Sequence, residues 1–282
     1  MITDSKKQKI AEKLQLYCDR FGSQNKAANS LRNVSGATIS QMLNHNWELI
    51  TDDMWRNVAA QIGYTEEQWV IVETRDSKLL TTVLNDAKEN SLVFGIVGDS
   101  GYGKTQTLKH YKESNKNAYV LHCAEYWNRK TFLQELLTDM GRDYSGYTVA
   151  EMMQEVVRLL KMIESPIVIL DEADKLSDQV LYFFITMYNQ LEDHCALIII
   201  ATDHLSKRIK RGLKLNKKGY KEIYSRIGRK FIELKGPSTS DIKAICMANG
   251  ITANEQIKDI IEDCENDLRR VKRKIHAFKK AA

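Results

Sequence analysis

One short stretch of the sequence, 98–105, combines glycines with a lysine and a hydroxyl side chain in the order Gly-Asp-Ser-Gly-Tyr-Gly-Lys-Thr. It fits the spacing G-x-x-x-x-G-K-[ST], in which the glycines let backbone N–H groups turn toward phosphate oxygens. Lys104 can reach the β- and γ-phosphates of a nucleotide, and the Thr105 hydroxyl can bind Mg²⁺. We therefore predict a phosphate-binding loop for ATP and Mg²⁺, formed by Gly98, Ser100, Gly101, Tyr102, Gly103, Lys104, Thr105 and Gln106.

Two carboxylates follow a second apolar run. After Pro166 come four apolar residues and then Asp171 and Glu172, which is the Walker B pattern. A buried strand would deliver Asp171 to the water shell of Mg²⁺, and Glu172 could polarise the water that attacks the γ-phosphate. Thr202, directly after the apolar run 196–201, is a candidate sensor of the γ-phosphate, with a simple cap at the strand end as the alternative.

Parallel strands would bring these side chains together. Short apolar runs, rich in β-branched residues, at 92–97, 118–122, 167–170 and 196–201 alternate with segments of helical periodicity. This alternation is typical of an α/β fold with a parallel sheet between layers of helices, and ligands bind at the carboxyl ends of its strands. We expect the P-loop, the Walker B pair and Thr202 at that edge of the sheet.

An all-α domain is predicted before the sheet, at about 1–72. Residues 24–43 resemble the helix-turn-helix of phage repressors and Cro, with a turn that is one residue longer because Arg32 and Asn33 occupy the usual glycine position. The exposed face of its second helix would offer Thr38, Ser40 and Gln41 to DNA. Acidic and basic residues balance in 1–72, so one copy should bind DNA weakly. The alternative is a helical module that serves protein contacts.

Charge is unevenly distributed along the 282 residues. Basic side chains crowd 205–230, where Glu222 is the lone acid, and no acid follows Asp267. This asymmetry favours a nucleic-acid partner, and the alternatives are a solvated basic face or a subunit interface. No apolar run is long enough for a membrane span, the first residues show no signal peptide, and the cysteines are far apart, so we expect reduced thiols in the cytoplasm.

Residues 73–282 resemble the AAA+ ATPases. In that family a Ser-Arg-hydrophobic segment before the last strand carries the arginine finger that reaches a neighbouring subunit's nucleotide; Arg226 matches it best and Arg229 second. The family's helical lid is matched by three short helices after Pro237, and its sensor 2 by Asn266-Asp267-Leu268-Arg269-Arg270, which implies that Arg269, or alternatively Arg270, contacts the phosphates. The expected domains are a helix-turn-helix domain at 1–72, a nucleotide-binding core at 73–235 and a lid at 236–282.

The architecture is similar to the target-capture ATPases of DNA transposition, the Mu B and Tn7-like family from phages and bacterial mobile elements. That resemblance implies ATP-dependent assembly of a homo-oligomer or helical filament on double-stranded DNA, largely without sequence preference, and delivery of target DNA to a transposase that stimulates hydrolysis. The expected DNA contacts are Asn128, Arg129 and Lys130, followed by Lys207, Lys210 and Arg211 in the basic cluster.

Two other functions remain open at this point. One is a transcription regulator in which the helix-turn-helix reads an operator and ATP sets the oligomeric state. The other is a replication initiator or helicase loader. A regulator predicts tight, sequence-specific binding by residues 1–72 alone, whereas target capture predicts ATP-dependent and largely nonspecific binding by the whole chain.

Overall fold

The computed structural model describes residues 2–64 and 69–281. In the described chain the helices are α1 (Asp4–Phe21), α2 (Gln24–Asn29), α3 (Gly36–Leu43), α4 (Asp52–Gln61), α5 (Arg75–Asn90), α6 (Lys104–Ser114), α7 (Arg129–Asp139), α8 (Val149–Lys161), α9 (Asp178–Leu191), α10 (Asp203–Lys214), α11 (Tyr220–Arg226), α12 (Thr239–Ala248), α13 (Asn254–Asp263) and α14 (Leu268–Ala281), with short 3₁₀ turns at Trp47–Leu49 and Ala173–Lys175. The strands are β1 (Val93–Val97), β2 (Ala118–His122), β3 (Ile167–Asp171), β4 (Ala196–Ala201) and β5 (Phe231–Glu233).

The chain divides into two compact units, Met1–Gln68 with Lys130–Val156, and Trp69–Arg129 with Val157–Ala282. The predicted boundary at 72 thus falls a few residues inside the second unit. The predicted division into three domains stays a prediction. No helix of the described chain has the length and apolarity needed to cross a membrane. Its five cysteines are all buried and unpaired with one another.

In the first unit, α1 to α4 enclose a small apolar core. Its fully buried side chains come from all four helices, and include Ile10, Leu14, Ile39, Met42 and Trp55. Side-chain caps start α3 and α4: Ser35 Oγ accepts from the Thr38 N–H, and Thr51 Oγ1 accepts from the Met54 N–H. Such caps satisfy backbone donors at the first turn of a helix, which explains why both helices begin where they do.

The turn between α2 and α3 places Asn33 in the left-handed region, at φ 58°. Asparagine tolerates this conformation better than most residues with a side chain, which is why it can stand where a glycine is usual. α2 and α3 lie where the two helices of the helix-turn-helix are predicted. Their role as a DNA-reading motif stays a prediction.

Residues 130–156, which lie between two strands in the sequence, pack with α1 to α4 in the same unit. Arg32, in the turn before α3, forms an ion pair with Glu135 on α7 at 2.5 Å. Gly141, just after α7, has φ 68°, and a Cβ there would lie 2.8 Å from the carbonyl oxygen of Lys26. A side chain larger than glycine would therefore push α2 away.

The second unit is built on a parallel sheet in the order β2-β3-β4-β1-β5. β3 and β4 are buried along their whole length, as their continuous apolar sequences predict. Leu80 and Leu84 of α5 and Leu108 and Tyr111 of α6 pack with the strands in one core cluster. The predicted α/β fold is confirmed. Because β3, β4 and β1 are neighbours and run parallel, the loops that follow these three strands lie at the same edge of the sheet.

After β5, helices α12, α13 and α14 enclose a separate core with Ile242, Cys246, Ile260, Val271 and Ile275 at its centre. α12 begins with a capping box: Ser238 Oγ accepts from the Asp241 N–H, and the Asp241 carboxylate accepts from the Ser238 N–H. These are the three short helices that the sequence predicts for the lid.

Candidate nucleotide-binding site

The loop from Gly98 to Gly103 leaves the end of β1 and enters α6 at Lys104. Gly101 and Gly103 have φ values of 85° and 86°, in the left-handed region that glycine adopts without cost. At Gly98, which follows β1, a Cβ would lie 2.9 Å from the Cβ of Leu234. The glycines are therefore needed for the conformation of this loop, and α6 directs its N-terminal N–H groups toward the same place, as anion binding requires.

Lys104 is largely buried, and its Nζ donates to the carbonyl oxygens of Gly98 at 2.5 Å and Asp99 at 2.8 Å. Burial lowers the pKa of Lys104, and the carboxylates of Asp171, Asp174 and Asp99 offset part of that shift. A cation held inside the loop is well placed to bind an anion that the loop encloses.

Asp171 ends β3 and is fully buried. Its Oδ2 accepts from Thr105 Oγ1 at 2.7 Å and lies 3.2 Å from His122 Nδ1, while its Oδ1 accepts from the Glu172 N–H at 3.0 Å. Burial opposes ionisation, but the hydrogen bonds from His122 and Thr105 outweigh it, so the pKa of Asp171 is lowered. An ionised carboxylate in contact with a threonine hydroxyl is a donor set that fits Mg²⁺.

Glu172 follows in a left-handed conformation at φ 57°. Its carboxylate accepts from Lys175 Nζ at 2.7 Å. Thr202, at the end of β4, donates its hydroxyl to Asp174 Oδ2 at 2.8 Å and forms no side-chain cap on α10. The sensor role of Thr202 and its alternative, a simple cap at the strand end, both stay predictions.

The lid contacts the P-loop through the start of α14. The Leu268 N–H donates to the Gly101 carbonyl at 2.9 Å, and Arg269 Nη1 donates to Ser100 Oγ at 3.0 Å. Arg270 instead forms ion pairs with Asp263 at 3.3 Å and Glu265 at 2.8 Å. Of the two candidate arginines, Arg269 is the one beside the phosphate-binding loop.

A cavity of 780 Å³ joins these groups. The predicted residues that line it are Ser100, Gly101, Tyr102, Gly103, Lys104, Thr105, Gln106, Asp171, Glu172, Thr202 and Arg269. Its apolar part was not predicted and comprises Trp69, Ile71, Val72, Ile245 and Leu268. A signal existed in the apolar run 69–72, but that run is equally typical of the end of a helical domain. The size of the cavity and its mixed polar and apolar lining suit a nucleotide, with the planar base against the apolar part.

The arginine-finger candidates lie outside this cavity. Arg226, at the end of α11, places its guanidinium 4.4 Å from the ring centroid of Tyr188 and donates to Asn189 Oδ1 at 3.2 Å. Arg229 is exposed, two residues before β5, with φ 59°. Neither contacts the P-loop of its own chain, so neither completes this chain's cavity.

The DNA-contact candidates lie at three separate places in the sequence. Thr38, Ser40 and Gln41 are half-buried on α3, while Asn128, Arg129 and Lys130 are exposed at the start of α7. Lys207, Lys210 and Arg211 are exposed on α10, where Lys207 pairs with Asp203 at 2.5 Å. They do not line the nucleotide cavity.

Comparison with known proteins agrees with this geometry. A family model described as an AAA domain matches residues 87–209, which include the P-loop and the strands β1 to β4. The Mu-like prophage FluMu DNA transposition protein B of Haemophilus influenzae is 22% identical over 240 residues, covering 81% of this chain and 81% of the relative. The ATP-dependent target DNA activator B of Escherichia phage Mu is 22% identical over 235 residues, covering 80% of this chain and 72% of the relative. Residues 87–209 therefore match an AAA domain, and most of the chain is similar to the B proteins of phage Mu and a Mu-like prophage.

Proposed function

We propose that this protein binds and hydrolyses ATP, assembles on duplex DNA when ATP is bound, and delivers that DNA to a transposase. One observation carries the first part: Lys104, Thr105, Asp171, Glu172 and Arg269 line one cavity around the P-loop. The printed names of the relatives, a DNA transposition protein B and an ATP-dependent target DNA activator B, support the second part.

In the binding step, Lys104 and the N–H groups of the P-loop hold the β- and γ-phosphates of ATP. Thr105 Oγ1 and Asp171, which are hydrogen-bonded to each other at 2.7 Å, would hold Mg²⁺. When bound, Mg²⁺ neutralises charge that develops on the phosphate oxygens. Arg269, whose Nη1 is 3.0 Å from Ser100 Oγ, closes the lid side of the cavity.

In the hydrolysis step, Glu172 accepts a proton from the attacking water, a role worth roughly 10²–10⁴-fold in rate for a positioned base. Lys175 orients the Glu172 carboxylate through the 2.7 Å hydrogen bond between them. Thr202, held by Asp174, is within the cavity lining and senses the γ-phosphate.

A neighbouring protomer completes the site. Arg226 of that neighbour, or Arg229 as the second candidate, reaches the γ-phosphate as an arginine finger, which accelerates related reactions by roughly 10³–10⁵-fold. Arg226 would leave its packing on Tyr188 to do so, whereas Arg229 is already exposed. Hydrolysis is then linked to assembly.

DNA is held mainly through its phosphates. Lys207, Lys210 and Arg211 lie on exposed positions of α10, and Asn128, Arg129 and Lys130 are exposed at the start of α7. Contacts of this kind give affinity without sequence preference and weaken steeply as salt rises. The helix-turn-helix, with balanced charge, adds little affinity in a single copy.

The test compares binding of several unrelated duplexes, with and without ATP, by the unsubstituted chain and two variants. Glu172→Gln should retain ATP and DNA binding and lose turnover, because an amide cannot take the proton. Lys104→Ala should lose both nucleotide binding and ATP-dependent DNA binding. Tight binding of a single sequence without ATP would instead support a transcription regulator and contradict target capture. Unchanged turnover by Glu172→Gln would show that another group is the base.

A further inference from the structure

Arg208, on α10, lies outside the nucleotide cavity and is half-buried among three segments. Its Nη1 donates to the carbonyl oxygens of Leu176 at 2.7 Å and Asp174 at 3.4 Å. Its Nη2 donates to the Asp178 carboxylate, and its Nε donates to Tyr220 Oη at 3.0 Å. A rigid guanidinium fork can hold several acceptors at fixed angles, which lysine cannot do.

Tyr220 is the first residue of α11 and is almost fully buried. Its hydroxyl donates to Asp178 Oδ1 at 2.7 Å. Its ring lies against Gly212 of α10, where a Cβ would be 2.5 Å from ring carbons. Burial opposes ionisation of Asp178, but hydrogen bonds from Arg208 and Tyr220 outweigh it and lower its pKa, so the carboxylate stays charged. These three side chains form one closed polar cluster, the Arg208–Asp178–Tyr220 cluster.

The segment that Arg208 holds, 174–178, contacts the catalytic groups at two points. Asp174 accepts from the Thr202 hydroxyl at 2.8 Å, and Lys175 donates to Glu172 at 2.7 Å. The carbonyls that Arg208 binds belong to Asp174 and Leu176, on either side of Lys175. Arg208 therefore fixes the backbone from which Lys175 reaches Glu172.

The helix α11 connects the Arg208–Asp178–Tyr220 cluster to the finger candidate Arg226. Tyr220 begins α11 and Arg226 ends it. Backbone hydrogen bonds connect successive turns of a helix, so a displacement of the end of α11 toward a neighbour would also displace Tyr220. The Tyr220 hydroxyl would then pull on Asp178, which is both the first residue of α9 and the last residue of the segment held by Arg208.

We propose that Arg208 is a positioning residue that, through Asp178 and Tyr220, couples engagement of the finger helix α11 to the placement of Glu172 in the same subunit. This inference rests on the proposed ATP hydrolysis and on the finger role of Arg226. A protomer whose Arg226 engages a neighbour's nucleotide thereby adjusts its own base, which relays the assembled state from one site to the next.

The first experiment separates positioning from binding. Arg208→Gln should lower kcat about 10- to 100-fold, the loss typical of a misplaced catalytic group, with the Kd of a fluorescent ATP analogue unchanged. Tyr220→Phe, which removes only the hydroxyl, should lower kcat less. Arg142→Gln, an exposed arginine between α7 and α8, serves as the matched charge control and should match the unsubstituted chain. Unchanged kcat for Arg208→Gln in a folded protein would overturn the proposal, as would an equal loss of nucleotide affinity.

The second experiment tests coupling through a double-mutant cycle in kcat. Under the proposal, Tyr220→Phe and Arg226→Ala are not additive, because both interrupt one relay. Additive effects would overturn it and leave the cluster with a purely structural role. Far-UV circular dichroism and thermal unfolding establish that the variants fold. Absence of ATP turnover by the unsubstituted chain would contradict the proposed function itself, which is a different result from normal turnover by Arg208→Gln.

Discussion

Substitution of Arg269 by alanine tests the lid side of the nucleotide site. Its guanidinium is the one group of α14 seen to bond a P-loop side chain in the described chain, at 3.0 Å from Ser100 Oγ. A hydrogen bond to a charged group contributes about 1.5–3 kcal/mol. Because Arg269 is exposed, solvent screening favours the lower value. A loss of about 1.5 kcal/mol corresponds to a roughly tenfold higher Kd for ATP.

Arg270 provides a matched control on the same helix, because its guanidinium pairs with Asp263 and Glu265 instead. The assay is titration of each variant with a fluorescent ATP analogue and Mg²⁺, with thermal unfolding measured in parallel. We expect weaker nucleotide binding for Arg269→Ala and unchanged binding for Arg270→Ala. Equal weakening by both substitutions, or none by Arg269→Ala, would refute the assignment of Arg269 to the phosphates.

Two further predictions concern stability. Asn33→Val should destabilise the first unit by about 1–2 kcal/mol, because a β-branched residue resists the left-handed conformation at φ 58°. Asn33→Gly should leave thermal unfolding nearly unchanged. A valine variant as stable as the unsubstituted chain would contradict this prediction. Burial opposes ionisation of Asp241, but hydrogen bonds from Ser238 lower its pKa in the folded protein. The ionised carboxylate therefore stabilises the fold fully above the unfolded-state pKa of about 3.9, and this stabilisation is lost as the pH falls through the lower pKa of the folded state. The difference in unfolding free energy between the unsubstituted chain and Asp241→Asn should therefore shrink with acidification, and a constant difference would be contrary evidence.

The positions of the candidate phosphate-binding groups were predictable because their signals are local. The P-loop spacing specifies a strand, a glycine turn and a helix, and the structure has β1, the loop and α6 in that order. Asp171 and Thr202 follow buried strands, so their placement at one edge follows from parallel pairing of β3 and β4. The positions of the strands along the chain and the bounds of several helices likewise follow from hydrophobic periodicity and from caps such as Thr51.

The apolar part of the cavity depends on contacts that local sequence does not specify. Trp69 and Ile245 are far apart in sequence and meet only because the lid folds over the start of the second unit. The same holds for Arg208: nothing in the basic run 205–230 distinguishes it from Lys207 or Lys210, and its partners lie about 30 to 34 residues earlier or in the next helix. Long-range hydrogen bonds select one arginine from a charged stretch, and only the fold shows which.

Residues 130–156 are a second case in which the sequence does not specify the packing partner. Their helices have ordinary amphipathic patterns between β2 and β3, which predicts a connection within the nucleotide-binding domain. In the structure they pack with α1 to α4, and Arg32 pairs with Glu135 across that contact. Amphipathic periodicity shows that a helix has a buried face, but it does not specify which partner covers that face.

Electron microscopy of the unsubstituted protein with duplex DNA of arbitrary sequence, with and without ATP, tests the central claim most directly. The finger candidates of one protomer lie outside its own nucleotide cavity, so a neighbouring protomer must supply the finger. We therefore expect ATP to bring protomers together along DNA. Regular filaments should form with ATP and be absent without it. DNA that carries no higher-order assembly in the presence of ATP would contradict the account.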